Sequence, residues 1–233
     1  MLQAVVFDFD GVLADSEPIH LRACQEVLAA EGFDLTRDDY YARYLGYDDR
    51  GLFRAYLADR GVGGDNAKIE AWVSAKTRLV ERLLTSDGVL FPGAAELVKL
   101  FAERVPLAIA SGALGPEIAL VLDHAGLKDC FKAIASASDG VPGKPAPDLY
   151  QLAMARLGER MNGGGPLNPA SCAAIEDSHW GLEAASRAGM RCVAVSHTYP
   201  ASELGHADLV VERLSDLTMA ALEDLIRHND CGR

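Results

Sequence analysis

Apolar residues along this chain fall into two kinds of run. The first kind is short and almost uninterrupted. Leu2–Phe9 is nearly continuous and rich in Val and Phe, and Pro106–Ser111, Ala133–Ala137, Cys172–Ile175 and Arg191–Ser196 repeat the type, with Leu209–Val211 as a further candidate. Such runs predict strands buried on both faces of a parallel sheet. The second kind recurs at helical spacing, in Ala94–Glu103, Pro116–Ala125, Pro147–Leu157 and Trp180–Ala188. Gly126, Gly158 and Gly189 fall where C-caps are expected. Strand alternating with helix predicts an α/β fold, a doubly wound and mainly parallel sheet with right-handed crossovers.

From Asp15 to about Gly88 the alternation stops. That stretch holds no convincing buried strand but four amphipathic patterns, His20–Glu31, Arg37–Leu45, Leu52–Asp59 and Lys68–Leu84. It reads as a helical cap domain (residues 15–88) inserted after the first strand of a core made of residues 1–14 and 89–233. GVLADSEP and SDGVLFPG are the linkers, and two chain crossings so close together suit a lid that rocks. Residues 162–169 (NGGGPLNP) read as a surface loop.

Composition narrows the function. The 233 residues are 49% hydrophobic and 24% charged, and carry a formal net charge of −12. An acidic chain is a poor partner for nucleic acid, which is held by clustered Lys and Arg. It can still take an anionic substrate where a metal and a few cations gather. No apolar run reaches the length of a bilayer span, and the N-terminus does not read as a signal peptide, so no membrane association is expected. Five cysteines without CxxC spacing argue against a disulfide framework or a zinc site and fit a reducing compartment, so a cytoplasmic location is expected. The oligomeric state stays open, a monomer being compatible.

Four short segments carry candidate chemistry. Asp8 and Asp10 close the first strand, two apart and so facing together along an extended chain, before a glycine that permits a sharp turn. Two carboxylates there imply a bound cation or a shared proton. Ser111-Gly112 ends the second core strand, where a hydroxyl and an approachable backbone hold phosphate oxygens. Lys144, between Gly143 and Pro145, has a constrained exit direction. At ~4 Å and an effective dielectric near 20 it attracts a unit negative charge by about 4 kcal/mol. Glu176 and Asp177 end the fourth run, offering oxygens that suit Mg²⁺, and Ser178 is placed to cap the next helix. Singly, each segment has a plain structural reading: an acidic turn, an ordinary turn, a solvated lysine, an acidic helix start. Together they fall at the carboxyl ends of expected core strands, which gathers them at one edge of the sheet.

The segments DFDGVLADSE, SG, GKPAPD and IEDS resemble the four motifs of the haloacid dehalogenase superfamily, with its Rossmann-like core. The helical insert resembles the cap of the β-phosphoglucomutase-like phosphatase branch. The resemblance implies that Asp8 is a nucleophile and a Mg²⁺ ligand, and that Asp10 is the general acid/base and ligates through its carbonyl. It implies that Ser111, Gly112 and Lys144 bind phosphate and that Asp177, with Glu176 beside it, completes the metal site. Dehalogenation is not implied, because that branch lacks the second aspartate.

In the insert, Glu17 and His20 lie one helical turn apart just past the first linker. His20 matches the position of a cap histidine near the leaving group, with a structural histidine as the alternative. Lys76 is similar to a cap lysine that touches substrate, or is a solvated helix lysine. Arg50 resembles the arginine that grips a distal phosphate in the mutases of this branch, but stands one residue later. His179 and Trp180 fit the first turn of a helix better than a cleft wall. The implied function is a Mg²⁺-dependent phosphatase of a small phosphorylated metabolite such as a sugar phosphate, acting through an aspartyl-phosphate. The alternatives are a β-phosphoglucomutase-like sugar phosphomutase and, more distantly, a non-catalytic binding protein on the same fold.

Overall fold

A computed structural model describes residues 1–45, 47–86, 88–161 and 165–227. Gly46, Asp87, part of the 162–169 loop and Cys231 lie outside the described residues. The chain divides into two compact units, Met1–Asp15 with the chain from Val89 onward, and Ser16–Gly88.

β1 (Ala4–Phe7) opens the first unit and is buried at every position. The insert follows as α1 (Glu17–Ala29), α2 (Arg37–Asp39), α3 (Asp49–Asp59) and α4 (Asn66–Ser86). The core then resumes as α5 (Ala94–Ala102), β2 (Leu107–Ala110), α6 (Gly115–His124), β3 (Phe131–Ala135), α7 (Asp148–Arg160), β4 (Cys172–Glu176), α8 (His179–Arg187), β5 (Arg191–Val195), β6 (Leu209–Val211) and α9 (Met219–Arg227). All six strands pair in parallel in the order β3-β2-β1-β4-β5-β6. The order reverses beside β1, which marks the carboxyl ends of β1 and β4 as the edge where open sheets of this kind bind ligands.

Alternation along β1 sends its residues to opposite faces. Phe7 meets Phe101 of α5 and Phe131 of β3, with ring centroids 6.4 and 6.0 Å away. Ala4 and Val6 join Ala108, Ala110, Ala133, Ala174 and Ala194 under Leu149, Tyr150 and Leu157 of α7 and Leu182 of α8. Alanine on that face lets the helices approach closely, and burial of the large side chains supplies roughly 1.5–3 kcal/mol each. The chain leaves and re-enters the core side by side, Asp15 N donating to Val89 O at 2.8 Å and Phe91 N to Leu13 O at 2.9 Å.

The insert has its own core. Cys24, Leu28, Tyr44, Phe53, Tyr56, Ile69 and Trp72 are buried together. Phe33 packs edge-on to Tyr56 and Trp72 at 6.0 and 5.9 Å. α4 packs along α1 and α3.

Several expected boundaries shift. Ala133–Ala137 is displaced two residues: β3 starts at Phe131 and stops at Ala135, because Ser136 and Asp139 form a reciprocal cap that Arg156 clamps at 2.5 Å. Gly126 and Gly189 do sit at helix ends with positive φ. Gly158 does not: α7 continues to Arg160, and the glycine instead gives room to Gly165 O, 2.7 Å from where a Cβ would stand. The pattern over Arg37–Leu45 becomes one α turn followed by π-helical turns at Tyr40–Tyr44. The sequence reading did not include α9. Among the described residues, no helix is long and apolar enough to cross a membrane.

Candidate active site

Every core motif residue lies at the carboxyl edge of the sheet or in the loop before α7. Asp8 follows β1 directly, and its N–H donates to Ile175 O on neighbouring β4 at 2.9 Å. The strand then turns: Leu13 N and Ala14 N both return to Phe9 O at 2.9 Å, and Gly11 N donates to Ala14 O at 2.8 Å. Gly11 has φ +79°, and a Cβ there would stand 2.0 Å from Asp177 Oδ2. Only glycine allows both the left-handed turn and the close approach of that carboxylate. Asp10 sits within this turn, partly exposed and bridged to Ala14.

Lys144 precedes α7 and reaches back to the strand ends. Its ammonium lies 2.8 Å from Asp8 Oδ1 and 2.6 Å from Glu176 Oε1. Asp8, Glu176 and Asp177 are all buried, and each offers an oxygen within 4.8 Å of the others. The ammonium of Lys144 is thus paired with two of three clustered carboxylates. Burial and the nearby Glu176 raise the pKa of Asp8, against the pull of Lys144. Burial raises Asp177 to about 6, with the Thr198 hydrogen bond opposing and Glu176 adding to the rise. For Lys144, burial opposes the charge, but the Asp8 and Glu176 carboxylates outweigh it and its pKa rises.

This excess of buried negative charge is the condition for a cation. A set of carboxylate oxygens is hard and favours Mg²⁺ over softer metals. The donors present therefore fit a divalent cation.

Ser111 is buried at the end of β2, and its hydroxyl accepts from Ala113 N at 3.1 Å. Gly112 stands beside it, exposed. Ser178 caps α8, accepting from Gly181 N at 3.1 Å. His179 and Trp180 lie in the first turn of that helix, and Trp180 is exposed.

The insert residues belong to the other unit. Glu17 accepts from the Tyr40 hydroxyl, and Lys76 is ion-paired with Asp49. Burial and Lys76 lower the His20 pKa to about 4, with Asp49 opposing. Arg50 stands apart from these, forked onto Glu70 at 2.6 and 2.8 Å.

Sequence reasoning missed the loop after β5. The Thr198 hydroxyl donates to Asp177 Oδ2, and His197 Nδ1 lies 3.0 Å from Gly11 O, with its ring stacked on Phe91 at 4.1 Å. It also missed Tyr150, whose hydroxyl donates to Glu176 Oε1 at 2.7 Å, and Gly181, where a Cβ would overlap the Glu176 carboxylate at 1.9 to 2.0 Å. The carboxyl-end rule, had it been applied to β5, would have pointed at His197 and Thr198. No local signal marked Tyr150.

A doubly wound sheet with acids, a lysine and a hydroxyl at its switch point defines a class of α/β enzymes whose chemistry sits at the strand ends. The haloacid dehalogenase-like hydrolase family model matches residues 2–189, and the chain belongs to that family. β-Phosphoglucomutase of Bacillus subtilis (strain 168) is 33% identical over 232 residues, covering 96% of this chain and 95% of that protein. Hexitol phosphatase B of Escherichia coli (strain K12) is 31% identical over 229 residues, covering 96% of each. A variant of CbbY from Rhodobacter sphaeroides, solved in complex with xylulose-(1,5)bisphosphate, superposes with a TM-score of 0.78 at 28% identity, covering 95% of this chain and 99% of that one.

Proposed function

We propose that this hydrolase is a Mg²⁺-dependent phosphatase of a small phosphorylated metabolite, a sugar phosphate or similar, with Asp8 as nucleophile. The observation that carries the reading is the Lys144 ammonium held between Asp8 and Glu176, with Asp177 alongside. A buried carboxylate beside a cation and further acids is arranged to meet a phosphate, not to stabilise the fold.

Asp8 and Asp177, with the carbonyl of Asp10, would hold Mg²⁺, whereas Glu176, expected among the ligands, would stand beside them because Lys144, Tyr150 and Ser178 already occupy its carboxylate. When bound, the ion would offset the repulsion between an anionic phosphate and an anionic nucleophile. Lys144 orients Asp8 and pairs with a phosphate oxygen, and Ser111 and Gly112 take others. The Asp8 carboxylate oxygen attacks phosphorus while the bond from phosphorus to the leaving oxygen breaks, and Asp10 gives that oxygen its proton. Asp10, now a carboxylate, takes a proton from water as the water oxygen attacks the aspartyl-phosphate. The bond from phosphorus to Asp8 then breaks, inorganic phosphate leaves and Asp8 is restored. The insert is the cap in this reading, and Glu17, His20, Arg50 and Lys76 select the leaving group. The free Cys24, Cys130, Cys172 and Cys192 fit a reducing compartment, and the cytoplasm is the proposed location.

The likeness to β-phosphoglucomutase favours a second reading, in which a sugar hydroxyl replaces water in discharging Asp8. One experiment separates them. Phosphate release is followed over a panel of sugar phosphates with Mg²⁺, in wild type and Asp8→Asn. Conversion of β-glucose 1-phosphate to glucose 6-phosphate is followed alongside. Release that falls at least about 10³-fold in Asp8→Asn is expected. Isomerisation with little free phosphate replaces the phosphatase by the mutase, and turnover that survives Asp8→Asn removes both.

A further inference from the structure

Glu176 has 0% of its surface exposed, and protein donors fill its carboxylate. Oε1 accepts from Lys144 Nζ at 2.6 Å and from the Tyr150 hydroxyl at 2.7 Å. Oε2 accepts from the Ser178 hydroxyl at 3.1 Å and from the amides of Asp177 and Ser178 at 3.2 and 3.4 Å. A carboxylate has about four lone-pair sites, and these contacts use them all. The space behind the carboxylate exists because residue 181 is glycine.

We propose that Tyr150 is a positioning residue for the Asp8 chemistry: its hydroxyl fixes Oε1 of Glu176, the oxygen that aims the Lys144 ammonium at Asp8. Three observations carry this. Tyr150 is completely buried on α7, where a phenylalanine would fill the same volume without a hydroxyl to satisfy. That hydroxyl donates to the same oxygen that holds Lys144. The Tyr150 ring also stands 5.3 Å from the Lys144 ammonium, which limits the lysine from a second side. The hydrogen bond of the Tyr150 hydroxyl goes to Glu176, so it acts through Glu176 and Lys144. The donors on Oε2 hold one end of the carboxylate, and the Tyr150 hydroxyl holds the end that carries the lysine. With that oxygen pinned, the ammonium has one place to stand, 2.8 Å from Asp8 Oδ1.

The proposal rests on the phosphatase reading but is tested apart from it. Wild type, Tyr150→Phe and Asp8→Asn are compared with Mg²⁺ and a generic aryl phosphate as probe. Lysine ¹³Cε signals are recorded on the same samples, Lys144 being identified by the signal lost in Lys144→Arg. Tyr150→Phe is expected to lower kcat/KM about 10-fold while the melting temperature stays within about 3 °C. Its Lys144 signal shifts or broadens. A rate within twofold of wild type overturns the proposal. So does an unchanged Lys144 signal, whatever the rate, because the lost activity would then be structural. If wild type itself turns over no aryl phosphate, the phosphatase reading fails, and the Lys144 signal alone decides the role of Tyr150.

Discussion

Each unit buries a lysine, and the two are treated differently. In the insert, Lys76 has a side chain 6% exposed and is paired with one carboxylate, Asp49, itself 35% exposed. Charge there is balanced, and burial and Lys76 keep His20 neutral at physiological pH. In the core, Lys144 is 11% exposed and pairs with Asp8 and Glu176, with Asp177 clustered beside those acids. Charge there is unbalanced toward the negative, although burying uncompensated carboxylates is costly. A balanced pair calls for no further charge. An unbalanced group calls for something from outside, which in the proposed function is a cation and a phosphate.

The contrast is sharpest if each lysine is removed. Lys144→Met should abolish turnover of an aryl phosphate and cost about 3–5 kcal/mol in urea unfolding, as expected when one partner leaves a buried ionic group. A variant that keeps both activity and stability would show that the three acids do not depend on Lys144.

Acid tests the insert. His20 has a folded pKa near 4, against about 6.5 in an unfolded chain. Between those values the unfolded state binds more protons, so stability is lost as pH falls through that window, by at most about 3 kcal/mol. Trp72 lies in the insert core and Trp180 in the other unit. Trp72 fluorescence in a Trp180→Phe background therefore follows the insert alone. The acid loss should be absent in His20→Gln.

Metal tests the core again. Mg²⁺ at about 100 times its Kd should stabilise the protein by about 2.7 kcal/mol, and a chelator should reverse it. Asp177→Asn should remove most of the effect, whereas Asp49→Asn should leave it intact. The smallest effect is expected at Arg50. Its fork onto Glu70 joins two side chains that are about half exposed, so Arg50→Gln should leave the melting temperature unchanged within error.

The strand pattern made most of the core legible. Uninterrupted apolar runs must be buried on both faces, and β1, β2, β5 and β6 lie within the runs expected for them, while β4 runs one residue past its own to Glu176. The acids and Ser111 at the strand ends were legible for the same reason: a polar residue closing such a run falls at the sheet edge. β3 was placed late because Ser136 and Asp139 cap a turn that apolar pattern does not register. The helix over Arg37–Leu45 was read as regular because periodicity does not separate α from π turns. Gly158 was misjudged because a glycine before polar residues looks like a cap, and only the packed loop at Gly165 shows that its use is close approach.

The sequence by itself determined the class of fold, the insert, and which strand ends would carry acids and a hydroxyl, since these follow from period and position along one chain. Lys144 instead reaches the strand ends from the loop before α7. Tertiary structure decided the partners. Tyr150 meets Glu176 across 26 residues, Thr198 meets Asp177 across 21, and His197 meets Gly11 across 186. A hydrogen bond depends on distance and direction in space, and separations like these leave no periodic trace in a sequence. The same holds for charge balance: Lys76 and Lys144 are both lone cations in the sequence, and only folding sets one against a single carboxylate and the other among three.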